Sequence, residues 1–127
     1  MKTENNKKII LYFKDESLQR ECMRTELQEA GYVVFDFGDT RDAWEYVKNK
    51  TNKIDGAIID KHLANSLFSG DDLIDKIFYK MQVRNKNSPL ISVSGWLDKP
   101  QHSTVHFDKR VEDKLIIQKL NELIKMC

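Results

Sequence analysis

Cysteine is almost absent: Cys22 and Cys127 are the two present in 127 residues, far apart and with no Cys-x-x-Cys spacing. That excludes a disulfide framework or a thiolate metal cluster as the basis of the fold, and a reducing cytoplasm is the simplest compartment. Apolar runs are short. None approaches the roughly 18–20 residues needed to cross a bilayer, and the opening Met1–Lys8 is too polar for a secretory signal. An excess of one charge is missing too: 21 Lys and Arg face 20 Asp and Glu, a formal net charge of +1. Nothing there points to nucleic acid, which selects a strongly basic face. The chain has neither a Gly-rich phosphate loop nor a Gly-x-Ser-x-Gly elbow, which argues against nucleotide binding and against a hydrolase of that type. His62, His102 and His106 have no common zinc-ligand spacing.

What is present is enough apolar material for an interior, 40% of residues, within a length that suits one domain over residues 1–127. No repeat, low-complexity stretch or linker interrupts it. The apolar pattern alternates in period along the chain. Ile9–Phe13 is a continuous apolar run, as in a strand covered on both faces. A helix is predicted from Ser17 to Ala30, buried through Leu18, Cys22, Met23 and Leu27 and stopped by Gly31. Tyr32–Phe35 reads as a second strand, followed by a helix capped by Asp39 or Thr40 with Ala43, Trp44 and Val47 inward.

Gly56–Ile59 forms a third strand ending on Asp60, followed by a loop to Ser69 and a helix buried through Leu73, Ile74, Ile77, Phe78 and Met81. Leu90–Val93 and Val105–Phe107 are the last two strands, and the final helix buries Val111, Leu115, Ile116, Leu120, Leu123 and Ile124. Strands alternating with helices predict a parallel sheet covered on both faces, and right-handed crossovers make it doubly wound. The ten residues Gly95–Thr104 are too few for two loops and a normal helix, and Pro100 discourages one. The fourth helix is therefore expected to be short or absent.

Ligands of such sheets bind outside the carboxyl ends of the strands. The residues delivered there are Lys14-Asp15-Glu16 after strand one, Asp60 after strand three, Ser94 after strand four and Asp108-Lys109 after strand five. Converging carboxylates require a cation, and hard oxygen ligands favour Mg2+. A carboxylate can also act as a nucleophile toward phosphorus, with an ammonium and a hydroxyl steadying the phosphoryl oxygens.

Four segments, in order, resemble bacterial response-regulator receiver domains: Ile10–Ser17, Ala57–Asp60, Pro89–Gly95 and Val105–Lys109. The resemblance covers nearly the whole chain and implies a flavodoxin-like five-stranded sheet of order 2-1-3-4-5. It further implies that Asp60 accepts a phosphoryl group from a sensor histidine kinase or phosphotransfer protein, with Mg2+ held by Asp15, Asp60 and the backbone carbonyl of His62. Lys109 and Ser94 would then engage the phosphoryl group, and altered binding to a downstream protein would carry the signal. Any enzymatic role is limited to self-phosphorylation and self-dephosphorylation at Asp60.

Several residues depart from the family pattern. Lys14 stands where the other acid of the metal pair belongs, and Glu16 follows Asp15. A unit charge roughly 5 Å from a cation is worth about 3 kcal/mol at an effective dielectric near 20. An inward Lys14 should therefore weaken Mg2+ binding or partly replace the ion; an outward one should change little. His106 holds the position of the switch aromatic, Arg110 replaces the proline after the lysine, and the loop after Asp60 is about two residues long of the usual. The alternative reading is a phosphorylation-independent pseudo-receiver, a protein-interaction module in which Lys14 is a built-in charge. Met1 and the polar start favour an intact small protein over a receiver segment of a larger kinase or regulator.

Overall fold

The computed structural model describes residues 7–49, 53–60, 75–77, 79–80, 88–94, 103–108 and 110–125, without the side chain of Ser94. Five strands, β1 (Ile9–Phe13), β2 (Val33–Phe37), β3 (Gly56–Asp60), β4 (Leu90–Ser94) and β5 (Val105–Asp108), form one sheet in the order β2-β1-β3-β4-β5. Every pairing is parallel. Helix α1 spans Ser17–Glu29, α2 spans Thr40–Lys48 and α3 spans Asp113–Lys125, with further helical residues at 75–77 and 79–80. This is the expected doubly wound architecture. The expectation for the fourth helix falls at residues 95–102, outside the described residues.

Side chains alternate across a strand, and that alternation builds two cores. Leu11, Phe13, Ala57, Ile59 and Leu90 face Ala43 and Val47 of α2 together with Ile77. Ile10, Tyr12, Ile58, Ile91 and Val93 face Met23 and Leu27 of α1 and Ile116, Ile117 and Leu120 of α3. β3 is buried at all five positions because both faces are covered. Fully burying each such aliphatic side chain contributes about 1.5–3 kcal/mol, so the two clusters dominate the favourable side of folding.

Local signals set the helix ends. Glu16 caps α1, its carboxylate accepting from Gln19 N at 2.7 Å and Leu18 N at 3.3 Å. Asp39 caps α2 by accepting from Arg41 N at 2.7 Å. Gly31, at φ 102°, ends α1 in the left-handed region where a Cβ would be strained.

Three expectations require correction. Leu18 is 66% exposed and Cys22 is exposed, so the buried stripe of α1 runs through Met23 and Leu27 alone. Leu115 is 45% exposed, and Ile117 takes its inward place beside Ile116 and Leu120. The second strand was expected over Tyr32–Phe35 and instead spans Val33–Phe37, taking in Asp36 and Phe37. In both helices the sequence offered two plausible apolar stripes, and packing against the sheet selected one.

Candidate functional site

Alternation also decides what meets at the carboxyl edge. Lys14 continues the parity of Ile10 and Tyr12, and Asp60 continues that of Ile58; β1 and β3 are direct neighbours. Both side chains therefore leave the sheet on the face covered by α1 and α3. They meet there: Lys14 Nζ lies 2.6 Å from Asp60 Oδ2. The two side chains are 9% and 4% exposed. The ammonium points inward.

The pair lies in a cavity of about 330 Å³ between α1 and α3. Leu18, Gln19, Cys22 and Met23 of α1 form one wall; Val111, Asp113 and Ile116 form the other. Tyr12 and Ile58 contribute to the floor. Burial pushes the Asp113 carboxyl above its usual range, and the Lys14 ammonium opposes that rise. Burial, reinforced by Asp113 and Asp60, holds the Tyr12 phenol far above its ordinary value, so it stays neutral.

Lys14 is held from its backbone. Its N–H donates to Phe37 O at 3.0 Å, and its carbonyl accepts from Arg20 Nη1 at 2.7 Å. Arg20 is anchored in turn by Asp36, whose Oδ2 accepts from Nε at 3.2 Å, while Arg24 adds a second ion pair to Asp36 at 3.4 Å. Gly38 makes room for this clamp: a Cβ there would stand 2.3 Å from Arg20 Nη1. Arg20, Asp36, Gly38, Tyr12 and Asp113 were not singled out from sequence. The one available signal was Asp36-Phe37-Gly38 at the end of the second strand.

The other expected site residues divide. Asp15 follows β1 half-buried, and the lining of the cavity does not include it. Glu16 is exposed and serves as the α1 cap. His106 projects from the opposite face of the sheet, beside Ser92 in register. There its Nδ1 lies 2.7 Å from Ser92 Oγ, which in turn lies 2.7 Å from Ser103 Oγ. His62, Lys109 and the side chain of Ser94 lie outside the described residues; the backbone of Ser94 pairs with Asp108 at the end of β4.

Whether these residues suit Mg2+ can be decided from the pair itself. A divalent ion placed about 4 Å from the ammonium meets roughly 8 kcal/mol of repulsion at an effective dielectric near 20. Asp60 Oδ2 already has a cation at hydrogen-bonding distance. With Lys14 in place, the set does not fit Mg2+.

Comparison with solved structures defines the class: the fold is that of response-regulator receiver domains. A receiver protein from Sinorhizobium medicae WSM419 superposes with a TM-score of 0.79 at 18% identity, covering 95% of this chain and 97% of its own. A CheY-like receiver protein from Methanospirillum hungatei JF-1 gives 0.77 at 17% identity, covering 94% and 95%. The response regulator TrrA from Thermotoga maritima, solved with Mg2+ and BeF, gives 0.71 at 21% identity, covering 91% and 98%. At these identities the likeness speaks for the fold alone. No family model matches the sequence, and no curated protein matches it. Among the described residues, no helix is long and apolar enough to cross a membrane.

Proposed function

We propose that this chain is a receiver module of a two-component system that takes a phosphoryl group on Asp60 from a phosphohistidine on a sensor histidine kinase or phosphotransfer protein. The observation that carries the reading is Asp60 itself, at the carboxyl end of the central strand, buried, facing a cavity and paired with an ammonium. A carboxylate so placed can attack phosphorus as a nucleophile, with the ammonium beside it to steady the phosphoryl oxygens. Signalling then proceeds by altered binding to a downstream protein, in the cytoplasm. Ser94 and Lys109 complete the proposed site by engaging the phosphoryl oxygens, and His106 is the proposed switch residue. Asp15 and the carbonyl of His62 are the remaining candidate metal ligands. The magnesium in the Thermotoga structure motivates that part of the reading, and the Lys14–Asp60 pair stands against it.

A second reading is favoured by the same pair. An ammonium seated 2.6 Å from the acceptor oxygen, with both partners shielded, is also what a phosphorylation-independent interaction module would keep as a built-in charge. The two readings separate on incubating the protein with an acyl phosphate and weighing it intact. A gain of one phosphate that Asp60→Asn abolishes supports the first; no gain, with partner binding unchanged in that variant, supports the second.

A further inference from the structure

Receiver sites gather acids and neutralise them with a metal ion, yet here the position beside the acceptor carboxylate belongs to a lysine with a clamped backbone. Three observations bear on what that lysine does. Its ammonium is within hydrogen-bonding distance of Asp60. Its backbone is fixed on both sides, by Phe37 O and by Arg20, which Asp36 orients across Gly38. Finally, the pair opens on a cavity rather than on packed side chains, so the four-carbon stem of Lys14 has space to shift its head group.

We propose that Lys14 replaces the metal: its ammonium is the resident counter-cation of Asp60, and after transfer it holds the phosphoryl group, so the reaction needs no divalent ion. The proposal rests on Asp60 being the acceptor. In the transfer, an Asp60 carboxylate oxygen forms the new O–P bond as the P–N bond of the phosphohistidine donor breaks. The electron pair of that bond leaves with the imidazole, which departs neutral because its other ring nitrogen carries a proton. The carboxylate charge passes to the phosphoryl oxygens of the resulting acyl phosphate, and the ammonium follows it by a short movement from Oδ2. A compact ammonium with three donors on a flexible stem is suited to such a move. Arg20 acts as a positioning residue, through the carbonyl of Lys14.

Two measurements on the full chain test this. In the first, bound Mn2+ is counted by electron paramagnetic resonance for the wild type, Lys14→Asp, Lys14→Met and Asp60→Asn. The expected result is no Asp60-dependent Mn2+ in the wild type and affinity at least about a hundredfold higher in Lys14→Asp. Lys14→Met, which adds no acid, covers the case in which Lys14→Asp does not fold, and gains affinity in the same direction. A wild-type Mn2+ site that Asp60→Asn removes would overturn the proposal. In the second, phosphate gain from an acyl phosphate is timed in excess EDTA and in Mg2+. Equal rates in the wild type, with a rate in Lys14→Met that depends on Mg2+, support the proposal. Gain confined to Mg2+ overturns it while leaving Asp60 as acceptor; no gain under either condition removes Asp60 as acceptor and the proposal with it.

Discussion

Replacing Lys14 by methionine keeps the length of the stem and removes the charge, which leaves the Asp60 carboxylate buried beside a neutral group. At 2.6 Å and an effective dielectric near 20, the attraction lost is about 6 kcal/mol before any desolvation is counted. The ammonium, however, no longer has to be stripped of water. Breaking a buried pair from one side typically costs about 3–5 kcal/mol, and the lower half of that range is expected because the cavity can admit water to the carboxylate. Asp60→Asn leaves the ammonium uncompensated and should cost a comparable amount, whereas the double variant should cost little more than either single change. A coupling energy of roughly 2–3 kcal/mol follows. Urea unfolding followed by tryptophan fluorescence reads this directly, since Trp44 packs against the core cluster under α2. Additive costs, with coupling below about 0.5 kcal/mol, would refute the pair as a structural and electrostatic unit.

Other perturbations have distinct expected outcomes. Gly38→Ala should displace the Arg20 guanidinium, since the new Cβ falls 2.3 Å from Nη1, at a cost of about 1–2 kcal/mol that largely vanishes in an Arg20→Ala background; chemical denaturation checks both. Ser92→Ala removes a fully buried hydroxyl joining Ser103 to His106 and should cost about 1–3 kcal/mol, visible as a lower denaturation midpoint. Ile59→Ala, at a position with no exposure, should cost about 2–5 kcal/mol by the same assay. Asp108 is held at about 2 by hydrogen bonds from Arg110. Its contribution is therefore present above the ordinary carboxylate value and lost as pH falls toward 2. A carboxyl carbon NMR titration should show the low midpoint, and Arg110→Ala should raise it.

The sheet was legible because β1 is an unbroken apolar run, β3 is apolar up to its final Asp60, and the order of short strands and helices leaves few arrangements. The meeting of Lys14 with Asp60 was nearly legible for the same reason. Counting by twos from Ile10 and from Ile58 sends both side chains to one face, but sequence alone could not say whether a flexible lysine turns in or out. Its direction is set by tertiary contacts at residues of little apparent significance. Gly38 matters for the Cβ it lacks, and Asp36 matters because two arginines on α1 reach it. Leu18 and Leu115 were misplaced because an amphipathic stripe read from sequence is wider than the contact that one helix makes with a sheet. Glu16, read as part of the acidic cluster, is occupied by helix capping, a backbone demand that competes for any acid just before a helix.

Chemical trapping of the acyl phosphate identifies the acceptor residue. After reaction with a phosphohistidine-bearing protein, borohydride reduces an aspartyl phosphate to homoserine, and peptide mapping reports where. Homoserine is expected at position 60 in the wild type and nowhere in Asp60→Asn. Homoserine at another aspartate, or unmodified peptides throughout, would contradict that assignment.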